Sequence, residues 1–245
     1  MIFNHGNHQM TQVERVASQC VAVWEEWNGA GVEGRQAVLS SWADIVAARG
    51  GEFSAAASMI RYQVKQAGEV LAPVHMMPGP TGETNELYIT GRGLFLVTGD
   101  ESLSAVSLAG QLSASLVAGN AVLVVVPSAL NDTADALLSD LVKASAPSRL
   151  AQRLDEKALN DVIETAPLKG VAAVAEADVL VAMNRKLAER DGVLVQFVAE
   201  SDGIHLPLLA SPAYQLRFIT ERTRTINITA VGGNATLLEL GSGEH

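Results

Sequence analysis

Strands alternating with helices from Leu94 to Ala199 predict an α/β fold, a Rossmann-like doubly wound parallel sheet. Two further observations complete the outline. Apolar residues recur at helical spacing through the first 75 residues, so N-terminal helices precede the sheet. A period-two run, Arg224, Ile226, Ile228 and Ala230 against Thr225, Asn227 and Thr229, reads as a β-arm that follows it.

Thr11 is placed to cap a first helix carrying Val13, Val16, Cys20, Val23, Trp24 and Trp27, which Gly29-Ala30-Gly31 interrupts. A second helix spans about 33–48, with Val38, Leu39, Trp42, Ile45 and Val46 on one side, and Gly50-Gly51 ends it. A third spans about 54–71 and closes at Pro73. The rhythm changes at Pro78. Strands are expected over 85–90 and 94–98, with Gly91-Arg92-Gly93 as the turn between them, then a helix over 103–118 and a buried strand over 121–126. A helix over 130–144, helix and loop over 149–165, a strand at 171–174, a helix over 177–190 and a strand over 193–199 follow. The arm comprises the run to Ala230, a Gly232-Gly233-Asn234 turn and a second run over 235–240. The expected division is 1–77 helical, 78–205 Rossmann-like with a first flap strand at 85–90, and 206–245 arm.

With 245 residues, 48% of them hydrophobic, the chain can bury one sizeable core. The longest apolar run, Ala121 to Val126, is far short of the roughly 20 residues of a membrane span. No charged-then-apolar leader opens the chain, so a cytoplasmic protein is expected. A net charge of -10 without a Lys/Arg cluster argues against a nucleic-acid partner. Cys20 is the single cysteine; on an apolar helix face it reads as an inert buried thiol. His5 and His8 lie in a polar leading segment read as frayed, and no metal site is expected. His75 and His205 stand apart from any Asp, Ser or Cys partner set. No G-x-G-x-x-G or P-loop string accompanies the doubly wound pattern.

Several strings together are similar to the aldehyde dehydrogenase superfamily, and within it to proline utilization A. They are Pro78-Gly79-Pro80-Thr81-Gly82-Glu83-Thr84-Asn85-Glu86-Leu87, Gly91-Arg92-Gly93, Gly110-Gln111 and Ala118-Gly119-Asn120-Ala121-Val122-Leu123, then 170–190, Ala199-Glu200 and 223–238. The resemblance covers about residues 54–240. Catalytic members of the family oxidise an aldehyde through a Cys thiolate and pass hydride to NAD, which needs a nucleophile, an oxyanion donor, a base and a cofactor cradle. The resemblance places the nucleophile well beyond the Ala199-Glu200 strand, yet the 45 residues after Glu200 hold no Cys. Asp100-Glu101-Ser102 stands where the family has Pro-Trp-Asn. The ribose-binding Lys and Glu are replaced by Val125 and Ser128, and the Gly-Ser of the pyrophosphate helix by Ala175-Glu176. Glu176 is expected to serve as a helix cap. Glu200 matches the family's general base and reads as a relic or a structural acceptor.

The chain resembles most the non-catalytic C-terminal domain of long proline utilization A, whose implied role is structural. The expected function is a catalytically degenerate module for oligomerisation or for closing a partner's active site in proline catabolism, without a cofactor. Its interaction residues would be Leu87, Ile89, Arg224, Ile226, Asn227, Ile228, Gly232, Gly233, Asn234, Leu237 and Leu238. The partner would be a second copy, commonly a dimer, or a proline-catabolic aldehyde dehydrogenase. The alternatives are a residual NAD-dependent aldehyde dehydrogenase and a small-ligand sensor that uses the vacated cofactor cleft.

Overall fold

The computed structural model describes residues 10–227. Three helices lead, α1 (Gln12–Gly29), α2 (Gly31–Ala47) and α3 (Glu52–Val70). Thr11 caps α1 through a reciprocal box: its hydroxyl accepts from the Glu14 amide while the Glu14 carboxylate accepts from the Thr11 amide. The chain then runs through β1 (His75–Met77), β2 (Glu83–Gly91), β3 (Leu94–Gly99), α4 (Ala105–Val117), β4 (Ala121–Val125) and α5 (Asn131–Lys143). It continues with β5 (Ala151–Arg153), α6 (Leu159–Thr165), β6 (Leu168–Val174), α7 (Ala177–Ala188), β7 (Gln196–Glu200) and β8 (Ile219–Asn227).

Two sheets result. The larger is parallel, in the order β5-β4-β3-β6-β7, and the smaller is antiparallel, in the order β1-β2-β8. The α/β class and the doubly wound parallel sheet are therefore as the sequence predicts. Four features differ. Residues 151–153 form the edge strand β5 where helix and loop are expected, and β1 is an additional strand. Gly91-Arg92-Gly93 does not turn a hairpin; it carries the chain from one sheet to the other. Residues 206–218 belong to the body, because Leu206, Leu209, Tyr214 and Phe218 are buried there, so the arm begins at Ile219. The expected arm from 228 to 240, with Ile228, Gly232, Gly233, Asn234, Leu237 and Leu238, lies outside the described residues, as do His5 and His8.

α4 is the central helix and is buried along nearly its whole length. It is built from Ala, Ser, Gly and Leu, small enough for α3 to approach closely: a Cβ on Gly110 would lie 2.9 Å from Met59 and 2.6 Å from Leu209. Its C-terminal carbonyls, which no helix can satisfy internally, are capped from the leading helices. Trp27 Nε1 donates to Leu116 O (2.9 Å), Arg35 Nε to Val117 O (2.8 Å) and Trp24 Nε1 to Gly119 O (2.8 Å). Arg35 also donates to Asn28 O at the end of α1 (2.7 Å), so one cation faces two helix C-termini. Burial pushes the Arg35 guanidinium down to about 10. The leading helices therefore share one core with the sheet.

Immediately after this helix end, Asn120 is fully buried with all of its amide used. Its Oδ1 accepts from the Arg92 and Gly93 amides (2.7 and 3.0 Å), and its Nδ2 donates to Ser115 O and Phe218 O (3.1 and 3.0 Å). Gly91 must lack a side chain, since a Cβ there would lie 2.2 Å from Gly119 O. Both strands of the arm are thus fixed at their base, and Arg92 adds a bond to Ile219 O (2.9 Å).

Two outcomes are expected. Asn120→Asp is isosteric but faces two carbonyls with lone pairs instead of a donor, and should lose about 3 kcal/mol or more in denaturant unfolding. Asp140 is buried and accepts from Arg49 and from Lys143 (2.9 Å). Burial raises its pKa, but Arg49 and then Lys143 outweigh burial and hold the carboxyl below its ordinary range. A depressed folded-state pKa stabilises above the unfolded value and ceases to as pH falls through the folded one. Asp140→Ala should therefore cost about 1–2 kcal/mol at neutral pH, since the cations left behind are partly exposed, with the gap to wild type narrowing below about pH 4; urea melts across pH check it.

Candidate functional site

In a doubly wound sheet the ligand crevice lies outside the carboxyl ends of the strands, where the order reverses. Here the chain builds β3, β4 and β5 outward, then returns to place β6 on the other side of β3, so the crevice is at β3 and β6. Asp100 follows β3 and Glu176 follows β6. The Asp100 amide donates to Val174 O (3.2 Å), and the Ala175 amide donates to Glu200 O (3.2 Å), which sets the ends of β3, β6 and β7 side by side.

The Asp100 carboxylate is fully engaged at this point. Oδ1 accepts from the Ser102 amide (2.9 Å) and hydroxyl (2.6 Å), while Oδ2 accepts from the Glu176 amide at the N-terminus of α7 (2.8 Å). Burial pushes the Asp100 pKa up, but the Ser102 hydroxyl and the Glu176 and Ser102 amides together hold it below the ordinary value. The Glu176 side chain makes no capping hydrogen bond and is exposed, so the expected cap is corrected: Asp100, 76 positions earlier, serves the helix end instead. The loops after β3 and β7 also meet above β6, since a Cβ on Gly203 would lie 2.5 Å from Ser102 O. What is left open is a cleft of about 560 Å³ lined by Glu101, Ser102, Glu176, Ser201, Asp202 and their neighbours. Three of these are acids, and no Lys or Arg lines it.

Glu200 ends β7 and is buried. It accepts from the amides of Leu208 (2.7 Å), Leu209 (3.2 Å) and Asp202 (3.3 Å), so its carboxylate holds the 201–211 loop against the sheet. Burial, and then the Glu200 charge, push the neighbouring Tyr214 phenol far above its ordinary pKa. Asp202 in turn accepts from the Ile204 and His205 amides (3.0 and 2.8 Å) and lies 2.9 Å from His205 Nδ1. His205 is therefore not isolated; its partner sits three residues away, on an exposed turn.

The positions expected to match a ribose cradle are Val125 and Ser128, and neither carries a charge. Val125 is buried at the end of β4, and the Ser128 amide is taken by Glu156 Oε2 (3.0 Å). Ala175 is buried and carries no hydroxyl. Cys20 lies in α1 with Sγ against Val122 O (3.8 Å) and Gln152 Nε2 (3.4 Å); burial pushes its thiol up to about 11, so it is not a thiolate nucleophile at neutral pH. Among the described residues, no group of three or more His, Cys, Asp or Glu could hold a metal ion. No described helix is long and apolar enough to cross a membrane. A dinucleotide does not fit these residues: its pyrophosphate would meet carboxylates at the crevice and find the first α7 amide already bonded.

The second candidate surface is the arm. β2 and β8 pair through nine positions, from Gly91↔Ile219 to Glu83↔Asn227, and β1 covers the outer part of β2. Leu87 and Ile89 are half-buried, with Ile89 packed on the core. Arg224 ion-pairs with Glu86 and stacks over Tyr88, and Thr225 Oγ1 donates to Asn85 Oδ1 (2.6 Å), so polar contacts rather than a core hold the arm together. Among the described residues β8 lies at the edge of its sheet, exposed from Glu221 to Asn227, with Ile226 40% exposed.

No family model matches the chain. Bifunctional protein PutA of Escherichia coli (strain K12) is 33% identical over 166 residues, 68% of this chain and 11% of that protein. Bifunctional protein PutA of Rhizobium meliloti is 31% identical over 168 residues, 67% of this chain and 12% of that protein. The chain thus spans about a tenth of the length of these relatives. Among solved structures, proline utilization A with proline bound in remote sites superposes at a TM-score of 0.70 with 25% identity, over 78% of this chain and 22% of that one. A 3,6-anhydro-L-galactose dehydrogenase in complex with NAP superposes at 0.65 with 17% identity, over 76% of this chain and 43% of that one, a likeness of fold.

Glu200→Ala should release the 201–211 loop and leave two or three buried amides without an acceptor. The expected readout is faster hydrogen exchange at Leu208 and Leu209, with a stability loss of about 2–3 kcal/mol; unchanged protection at both amides would refute the role.

Proposed function

Because the chain belongs to the aldehyde dehydrogenase superfamily, as a homologue of a region of proline utilization A, we propose that it is a catalytically degenerate module that acts through its β-arm. The observation that carries this reading is the short passage between β7 and β8. Residues 201–218 alone connect the strand bearing Glu200 to the arm, and they are packed into the body by Gln63, which donates to Leu209 O (2.8 Å) and accepts from Gln215 (3.1 Å). A catalytic domain with a thiolate nucleophile has no place in that connection. Two features of the site support the same conclusion: Glu200 spends its carboxylate on backbone amides, and the crevice is acidic where a cofactor phosphate would bind.

The Rossmann body is then a scaffold, and the arm its working part. A strand at the exposed edge of a sheet is a template for strand addition, which natural proteins either guard or use. The proposed partner is a proline-catabolic aldehyde dehydrogenase whose active site or substrate path the arm would cover, or a second copy of this chain. Arg224, Ile226 and Asn227 on β8, with Leu87 on β2, are the described residues proposed to meet it.

The test is association measured with and without an arm substitution. Ile226→Asp changes an exposed position and should leave the body's stability within about 0.5 kcal/mol. It should weaken self-association, or capture of a proline-catabolic dehydrogenase, by about tenfold or more. A chain that neither self-associates nor captures such an enzyme, before or after the substitution, would falsify the proposal. Aldehyde-dependent NADH formation abolished by Glu200→Gln would favour a residual dehydrogenase instead.

A further inference from the structure

The crevice at β3 and β6 is not merely stripped of cofactor residues; the chain has put one of its own groups there. In a doubly wound sheet, the amides at the N-terminus of the helix after the switch-point strand are the natural partners of a ligand phosphate. In this chain the first of them, on Glu176, donates to Asp100 Oδ2 (2.8 Å). The carboxylate is not a chance neighbour. Its other oxygen is held by the Ser102 amide and hydroxyl, and its own amide is bonded to Val174 O, so backbone and side chain are both locked. A second, independent contact closes the same place, because the Gly203 backbone rests on the Ser102 carbonyl with no room for a Cβ. The loops after β3 and β7 thereby meet across the end of β6.

We propose that Asp100 is an internal anion that occupies the phosphate end of the crevice and substitutes for a nucleotide in holding the β3 loop to α7. In a cofactor-binding crevice, the ligand's phosphate would bridge the strand-end loop and the helix amides, and would leave them apart on release. Here the bridge is covalently part of the chain and permanent, which suits a scaffold that must keep its shape without a ligand. The inference deepens the non-catalytic reading and rests on it, since a plugged crevice has meaning only where no cofactor is needed.

The experiment is calorimetric titration of inorganic pyrophosphate, and separately of NAD, into the full chain and three variants. Wild type should give no saturable heat with either. Asp100→Ala removes the plug and should raise pyrophosphate affinity by about tenfold or more. Asp100→Asn, which keeps the shape and the Ser102 contacts, should give a smaller rise and carries the test if the alanine variant unfolds. Glu101→Gln removes a cleft charge that is not bonded to the helix, and should change affinity by no more than about threefold. An Asp100 pair indistinguishable from wild type, or from Glu101→Gln, overturns the plug and leaves the structural module standing. Saturable NAD binding by wild type overturns both.

Discussion

Everything in this molecule hangs on the C-terminal end of one buried helix. α4 lies between the parallel sheet and the leading helices, and backbone amides alone do not satisfy all of its last carbonyls in the core. Trp24, Trp27 and Arg35 supply those donors from α1 and α2, and Asn120 then uses its entire amide to join the ends of four segments. Each bond alone contributes on the order of 1 kcal/mol, but leaving any of these groups unpaired in the interior costs more than making the bond gains. The arrangement therefore behaves as a unit. It tells the leading helices where to sit, tells β3 where to start, and sets the point from which the arm departs.

The same economy of polar groups runs through the crevice at β3 and β6. Asp100, Glu200 and Asp202 are carboxylates at the ends of strands, the location at which related folds place ligands. Asp100 and Glu200 accept from amides or a hydroxyl of their own chain, and Asp202 from two amides with the His205 ring beside its other oxygen. These carboxylates thereby set the geometry of the loops after β3 and β7. The acidity of the remaining cleft comes from Glu101, Glu176 and Asp202, a potential unfavourable to polyanionic ligands.

Much of this could be read from residue order. Alternating apolar runs give the parallel sheet because strands buried on both faces need continuous Val, Leu and Ala, as in β4. The Thr11-x-x-Glu14 box marks the start of α1 because capping is local. β5 escapes because three residues cannot display a period, and β1 because His75–Met77 is exposed throughout. The body's hold on 206–218 escapes because its contacts come from Gln63 and Glu200, remote or non-periodic in sequence. The site follows the same division. The losses at Val125, Ser128, Ala175 and Glu176 show in a motif comparison, whereas the bond from the Glu176 amide to Asp100 joins residues 76 apart and leaves no local signature. The Asp202–His205 pair closes a turn of four residues, a local pairing that resembles no catalytic set in the sequence.

The pairing of β2 with β8 has a consequence for how the molecule is made. Thr225 reaches Asn85 across 140 positions of chain, so nothing local brings these strands together. Only a body that has already seated Gly91 and Ile219 side by side lowers the entropy of closure enough for the ladder to zip outward from its base. The arm is thus a late event in folding and an early one in unfolding. A ribosome-bound chain that has emerged only as far as β7 carries β2 with β1 alone beside it, a period of vulnerability that lasts until β8 is synthesised.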